Sequence, residues 1–213
     1  MRRLAACVCA TVASLSAVAY MTDFSTSLVE RMQGRFGAQA PERFAAWSQA
    51  LRSMSGSERQ RLAAVNALAN RAPWSSDDVT WGQADYWATP AEFIARQTGD
   101  CEDYVIAKYF SLLALGVDPA SLRLTYVRAF MDGQLTPHMV LAWYAQPDAE
   151  PLLLDNLDPR LLSASQRPDL SPLFSIAGAA AMPVREGSRA RQISDVTLSR
   201  WEALQKRVAL ERD

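Results

Sequence analysis

Histidine is nearly absent from this chain: His138 stands alone among 213 residues. Any chemistry that needs an imidazole has to use it, and no site built on several histidines is possible. Cysteine is scarce too. Cys7 and Cys9 sit near the N-terminus, which leaves Cys101 alone in the body of the chain. A lone cysteine forms no intramolecular disulfide, and one Cys with one His falls short of the four ligands of a structural zinc site. Basic runs are also missing. With a net charge of −1, a pI near 5.9 and no Lys/Arg cluster, the chain lacks the electrostatic footprint of nucleic-acid binding. No repeat or low-complexity tract is evident, and 49% hydrophobic residues suffice for one well-cored domain.

The longest apolar run is at the start. Arg2 and Arg3 precede the uncharged, mostly apolar stretch Leu4 to Tyr20, and Ala17-Val18-Ala19 fits a small-x-small cleavage site. This reads as an export signal over residues 1–19, followed by a single domain over 20–213. An uncleaved anchor is the alternative, since roughly 17 to 25 apolar residues cross a bilayer. Cleavage removes Cys7 and Cys9. A free Cys101 in an oxidising compartment is then a liability unless it is buried or used.

The first half of the chain has helical periodicity. Phe24, Leu28, Met32 and Phe36 recur at helical spacing, and Phe44, Trp47 and Leu51 do so after Pro41. Ser57-Glu58-Arg59-Gln60 forms a capping box ahead of Leu62, Val65 and Leu68. Residues 73–90 are irregular and rich in Trp and Asp, with a short helix starting at Thr89-Pro90. A stronger helix is predicted from about Cys101 to Leu115, stopped by Gly116. Strands follow over Leu122 to Phe130 and Met139 to Ala145, turning at Asp132-Gly133, with a third over Pro151 to Leu157. Residues 158–190 are expected to be irregular with one or two more strands. Ser194 or Asp195 caps a last helix that places Leu198, Trp201, Leu204 and Val208 on one face. Helices first and strands second predict an α+β domain with an antiparallel sheet.

Cys101 falls in the first turn of its helix, where free N–H groups and the macrodipole favour an anion. That setting suits a nucleophilic thiol, whose own backbone N–H is available to an oxyanion. The competing reading is a buried structural cysteine, which the flanking Asp100 and Glu102 make an odd choice. His138 opens a predicted strand, and Asp155 ends the apolar run Leu152-Leu153-Leu154. A buried carboxylate there needs a partner, and an imidazole N–H supplies one while fixing the tautomer. Alternatively, His138 is a satisfied core residue and Asp155 starts an Asx turn. Cys on a helix start, then His and Asp on successive strands, is a specific order that favours the catalytic reading.

Asp100, Glu102 and Asp103 suit a helix N-terminus, but negative charge also opposes a thiolate. A bound hard cation resolves that conflict, and Ca2+ accepts such carboxylate-rich, irregular sites. Three side chains are too few for calcium, so backbone carbonyls or the loop carrying Asp77, Asp78 and Asp85 would have to contribute.

Asp85-Tyr86-Trp87-Ala88-Thr89-Pro90, Gly99-Asp100-Cys101-Glu102-Asp103-Tyr104, Ala107-Lys108-Tyr109, His138-Met139-Val140-Leu141 and Leu154-Asp155-Asn156-Leu157 together resemble the LapG-type bacterial transglutaminase-like cysteine proteases. Arg167-Pro168-Asp169-Leu170 fits as well. The resemblance implies a papain/transglutaminase-like fold and a periplasmic, calcium-dependent cysteine endopeptidase. In that reading Cys101 is the nucleophile, His138 the general base and acid, and Asp155 the residue that orients His138. Asp100, Glu102 and Asp103 match the calcium-binding segment. It further implies a large surface adhesin as substrate, cut near its N-terminus to disperse biofilm. The implied inhibitory partner is an inner-membrane receptor for cyclic di-GMP. Two other readings share these residues: a transglutaminase or amidase using the same triad, and a non-catalytic calcium-dependent binding module. For the second oxyanion donor, Gln97 and Trp81 are candidates.

Overall fold

The computed structural model describes residues 20–178, 180–183 and 188–212. The expected export segment, residues 1–19, lies outside them. Helices come first: α1 (Thr26–Phe36), α2 (Ala40–Ser53), α3 (Glu58–Ala69), the single turn α4 (Asp77–Thr80), α5 (Pro90–Arg96) and α6 (Cys101–Ala114). Their starts follow local chemistry. The Ser25 hydroxyl accepts from the Leu28 N–H, and Ser57 with Gln60 and Thr89 with Glu92 form full capping boxes. Gly116, with φ +79°, ends α6 in the left-handed region that glycine adopts without a Cβ clash. Apart from Cys101 and Leu113, every residue of α6 is buried, which makes it the central helix. α3 and α5 pack on its flanks and the sheet lies beneath it.

Among the described residues, β1 (Leu122–Met131), β2 (Gln134–Trp143), β3 (Leu152–Leu154), β4 (Leu162–Ser163), β5 (Leu170–Ala177) and β6 (Ala180–Pro183) form one sheet in the order β4-β3-β2-β1-β5-β6. Every pairing is antiparallel. Asp132 and Gly133, both at positive φ, make the tight turn between β1 and β2. Strand alternation sorts the side chains. Leu122, Leu124, Met139 and Leu141 join the helices in the main core, while Val127, Val140, Ala142 and Leu153 form a smaller cluster on the other face. Helices segregated onto one antiparallel sheet are the α+β class expected from the sequence.

Several boundaries differ from expectation. β3 covers only Leu152–Leu154 of the expected Pro151 to Leu157, and the segment expected to hold one or two strands contributes three, β4, β5 and β6. β2 starts at Gln134 rather than Met139, so His138 lies inside the strand instead of opening it. Residues 134–137 are exposed and include Pro137, which masks the strand pattern. The proline is tolerated because β3 pairs only with Leu141–Trp143, leaving this half of β2 at an edge. The last helix, α7 (Ser188–Glu211), begins ahead of the expected cap at Ser194 or Asp195. Its Trp201, Leu204 and Val208 are buried in the main core as the spacing implies. No helix among the described residues is long and apolar enough to cross a membrane.

Candidate active site

The N-terminus of α6 is held against a second segment. Ser75 N–H donates to Gly99 O at 3.0 Å, the Thr98 hydroxyl donates to Pro73 O at 2.8 Å, and Trp74 bridges to Gly99. Gly99 is needed here because a Cβ on it would lie 2.4 Å from Asp103 Oδ2 and 2.7 Å from Asp103 Cβ. This tether delivers Cys101 to the first turn of α6 and sets Asp77 of α4 beside Asp100.

Cys101 and His138 line one cavity of about 700 Å³, with Asp100, Glu102, Tyr126 and Met139 also in its wall. The thiol donates to Glu102 Oε2 at 3.0 Å. Burial, then the charges of Glu102 and Asp100, push the thiol well up, while the Met139 backbone N–H acts in the opposite direction. The negative setting foreseen for Cys101 is therefore present. Thiolate formation in this cavity calls for compensating positive charge.

His138 Nε2 meets Asp155 Oδ1 at 2.7 Å. The pairing follows from strand register. Leu154 lies opposite Leu141, so continuing the ladder places Asp155 opposite Val140, with His138 two residues along the same face. Asp155 Oδ1 also accepts the Leu157 N–H at 3.1 Å, and Oδ2 accepts Arg167 Nη1 at 2.7 Å. Burial would raise this carboxyl, but the His138, Leu157 and Arg167 interactions prevail and hold it at about 2. Asp155 is thus an anion that only accepts, so Nε2 carries the ring proton and Nδ1 is left as the basic nitrogen.

The acidic residues of the turn lie together, and Asp77 and Asp85 from the loop named in the sequence lie beside them. Carboxylate oxygens of Asp77, Asp100 and Asp103 lie within 4.8 Å of one another, as do those of Asp77, Asp85 and Glu102. Burial, then the charges of Glu102 and Asp77, raise Asp100 to about 9; burial raises Glu102 to about 7. Asp77 Oδ1 and Asp100 Oδ1 are buried without a hydrogen-bond partner among the described residues. Orphaned carboxylate oxygens facing a cluster of further oxygens fit a hard divalent cation. Asp77, Asp85, Asp100 and Glu102 would hold it. Asp103 is more engaged: Oδ1 accepts the Ala88 N–H at 2.7 Å and Oδ2 accepts Trp81 Nε1 at 3.4 Å. Asp78 is exposed and lies outside these groups.

Neither oxyanion candidate is positioned for the role. The Trp81 indole N–H is committed to Asp103, and Gln97 lines a different cavity, beside Trp47 and Phe93. Tyr126, which no sequence motif marked, does line the cavity of Cys101 and His138, and its place opposite Met139 in the β1–β2 ladder accounts for it.

Residues 38–168 match the family model of the bacterial transglutaminase-like cysteine proteinases. A structure of Legionella pneumophila LapG is 36% identical, with a TM-score of 0.69 over 84% of this chain and 97% of that one. Its calcium-bound form is 36% identical with a TM-score of 0.68, over 84% of this chain and 98% of that one. The EGTA-treated form is 35% identical with the same TM-score, over 84% and 97%. No match was found among the curated proteins. The chain has the transglutaminase-like cysteine protease fold and belongs to the bacterial transglutaminase-like cysteine proteinase family.

Proposed function

We propose that this protein is an exported, calcium-dependent cysteine endopeptidase acting through Cys101, His138 and Asp155. The observation that carries the reading is the 2.7 Å contact between His138 Nε2 and Asp155, which leaves Nδ1 free in the chain's single imidazole, on the cavity that Cys101 lines. Nδ1 takes the thiol proton, and the thiolate attacks the scissile carbonyl carbon to form a tetrahedral oxyanion. The Cys101 backbone N–H, unsatisfied within the first turn of α6, is placed to donate to that oxyanion. Collapse returns the proton from Nδ1 to the leaving amine and gives an acyl-enzyme. Water, deprotonated by Nδ1, then attacks the thioester carbonyl; collapse breaks the C–S bond, releases the acid and returns the proton from Nδ1 to the Cys101 sulfur. Asp155 stays ionised and stabilises the imidazolium. A bound calcium supplies the positive charge that the acidic turn around Cys101 requires; the calcium-bound LapG relative supports this.

The substrate, the partner and the compartment follow the resemblance carried by the motifs. We assign a large surface adhesin, cut near its N-terminus with release of biofilm, as substrate. The periplasm is the compartment and an inner-membrane cyclic-di-GMP receptor the inhibitory partner. The direct test is cleavage of the N-terminal segment of such an adhesin from the same source, in calcium buffer. Cleavage by the native chain and its loss in Cys101→Ala, His138→Ala and Asp155→Ala, with melting temperatures kept, are expected. Full activity in Cys101→Ala would sink the thiol mechanism. An acyl-enzyme that passes to a labelled amine faster than to water would turn the assignment to a transglutaminase.

A further inference from the structure

Asp155 is gripped from two sides. One oxygen serves His138 and the Leu157 N–H; the other takes Arg167 Nη1 at 2.7 Å. Arg167 is fixed in turn, with Nε on Asp169 Oδ1 at 3.0 Å and Nη2 on Asp169 Oδ2 at 2.7 Å. The side chains of Arg167 and Asp155 are 5% and 0% exposed, and that of Asp169 is 39% exposed. The chain of charges therefore runs from the surface inward to the imidazole.

Stability is a poor explanation for it. Taking a guanidinium and a carboxylate out of water costs about as much as their attraction returns, and well-packed apolar side chains do as well or better. Orientation is a better one. The terminal torsion of an aspartate is broad, so a carboxylate held only by His138 and one N–H retains freedom to turn. Capture of its second oxygen by a planar, doubly anchored guanidinium removes that freedom. The fork geometry also matters: one Arg167 spans two carboxylates at once, which a lysine ammonium cannot reproduce. The permanent positive charge further keeps Asp155 ionised, in accord with its low carboxyl value.

We propose that Arg167 is a positioning residue for the protease reaction: pinned by Asp169, it locks the Asp155 carboxylate so that the His138 ring is held in one orientation and one tautomer. The assignment rests on the reading of Cys101, His138 and Asp155 as the catalytic set.

Because His138 is the only histidine, the full chain labelled with ¹⁵N-histidine and prepared without a histidine tag gives one imidazole to observe. In calcium buffer the native protein should show a slowly exchanging, far-downfield ring N–H on Nε2, as a buried bond to a carboxylate produces. The rate of Cys101 alkylation by iodoacetamide, read at its tryptic peptide, reports the activation of the thiol. Arg167→Met should lose the downfield proton and slow alkylation by about 100-fold, the scale of a misplaced catalytic group. Arg167→Lys should restore part of both, staying within about tenfold of the native rate, since it keeps charge without the fork. A folded Arg167→Met with the native proton signal and native alkylation rate overturns the proposal, whatever its melting temperature. If Arg167→Met does not fold, Asp169→Asn decides. A weakened signal with alkylation slowed by about tenfold supports the lock, and no change in either overturns it. Asp155→Asn separates the two levels. Native alkylation in that variant removes the catalytic set itself, whereas an inert Asp155→Asn beside an unaltered Arg167→Met removes only the role given to Arg167.

Discussion

Lys108 sits in the middle of α6 with 0% exposure, and its Nζ has no hydrogen-bond partner among the described residues. The ammonium lies 5.7 Å from the centre of the Tyr104 ring and feels the charge of Asp155. Burial pulls this amine down to about 7, with Asp155 acting in the opposite direction. A folded value below the unfolded one has a definite consequence for stability. The cost of the buried charge is present in full below pH 7 and is relieved as pH rises from there toward the ordinary lysine value, because the folded protein sheds its proton first. Lys108→Met, close in shape and uncharged, should therefore be more stable than the native chain at pH 6 by about 1–4 kcal/mol. The gap should close toward pH 10. Urea unfolding at both pH values measures it, and a methionine variant less stable at pH 6 would mean that the ammonium is paired. The same residue marks a limit of sequence reading. Lys108 was visible within a family-like motif, yet nothing local to it signals a helix buried on all sides. Arg167 is similar: it stands in a family-like motif, but its grip on Asp155 depends on β3 and the turn before β5 meeting in space.

At the level of elements, the first turn of α6 concentrates the chemistry, and much of it was legible. Helix start, Gly116 stop, Asp132-Gly133 turn and the order Cys101, His138, Asp155 are all local signals. The sequence offers Asp77, Asp78 and Asp85 together as further ligands but does not choose among them, because the choice rests on the bridge from Trp74 to Gly99 across distant sequence. The edge half of β2 was hidden for another reason: its exposed residues and Pro137 carry no alternation. The acidic turn also makes a prediction. Asp100 and Glu102 are raised by burial, to about 9 and about 7, so the folded, metal-free chain binds protons that the unfolded chain releases. Their contribution is complete below about pH 4 and is lost as pH climbs through 7 and 9. Metal-free protein should thus melt lower at pH 8 than at pH 5. Calcium, which competes with those protons, should raise the melting temperature more at pH 8. Scans with calcium or with EGTA at each pH test this, using Asp100→Asn to isolate the site. Equal calcium shifts at the two pH values would remove these carboxylates from the ligand set.

On the scale of the molecule, α7 returns from the far end of the chain to brace the loop that carries the candidate cation ligands. Trp201 is fully buried and donates from Nε1 to Gly178 O at 2.8 Å. Arg207 donates to the Tyr86 hydroxyl and to Trp87 O, and pairs with Glu92 at 3.4 Å. Glu211 accepts from the Thr89 hydroxyl at 2.7 Å and from Tyr20 near the start of the described residues. Val196 and Arg200 line the cavity that holds Cys101 and His138, and Arg200 forms an ion pair with Asp85. Asp85 has φ +62°, a strained conformation for a residue with a Cβ, so the loop depends on its surroundings to hold that shape. Arg207 is the side chain that ties α7 to residues 86 and 87, immediately after Asp85. Arg207→Met keeps the apolar stem and removes these bonds, at a cost of about 1–3 kcal/mol in stability. If α7 braces the site, calcium affinity measured by calorimetry on the full chain should fall as well, by about tenfold, the low end of the range in which residues supporting a metal site act. Trp201→Ala gives the contrast: a large core cavity and a loss of about 3–5 kcal/mol. Well below its melting temperature, where it remains folded, calcium affinity should be closer to native than in Arg207→Met. A pair of variants with lowered melting temperatures and identical, native calcium affinities would reduce α7 to a core element and leave the geometry of Asp85 to its own loop.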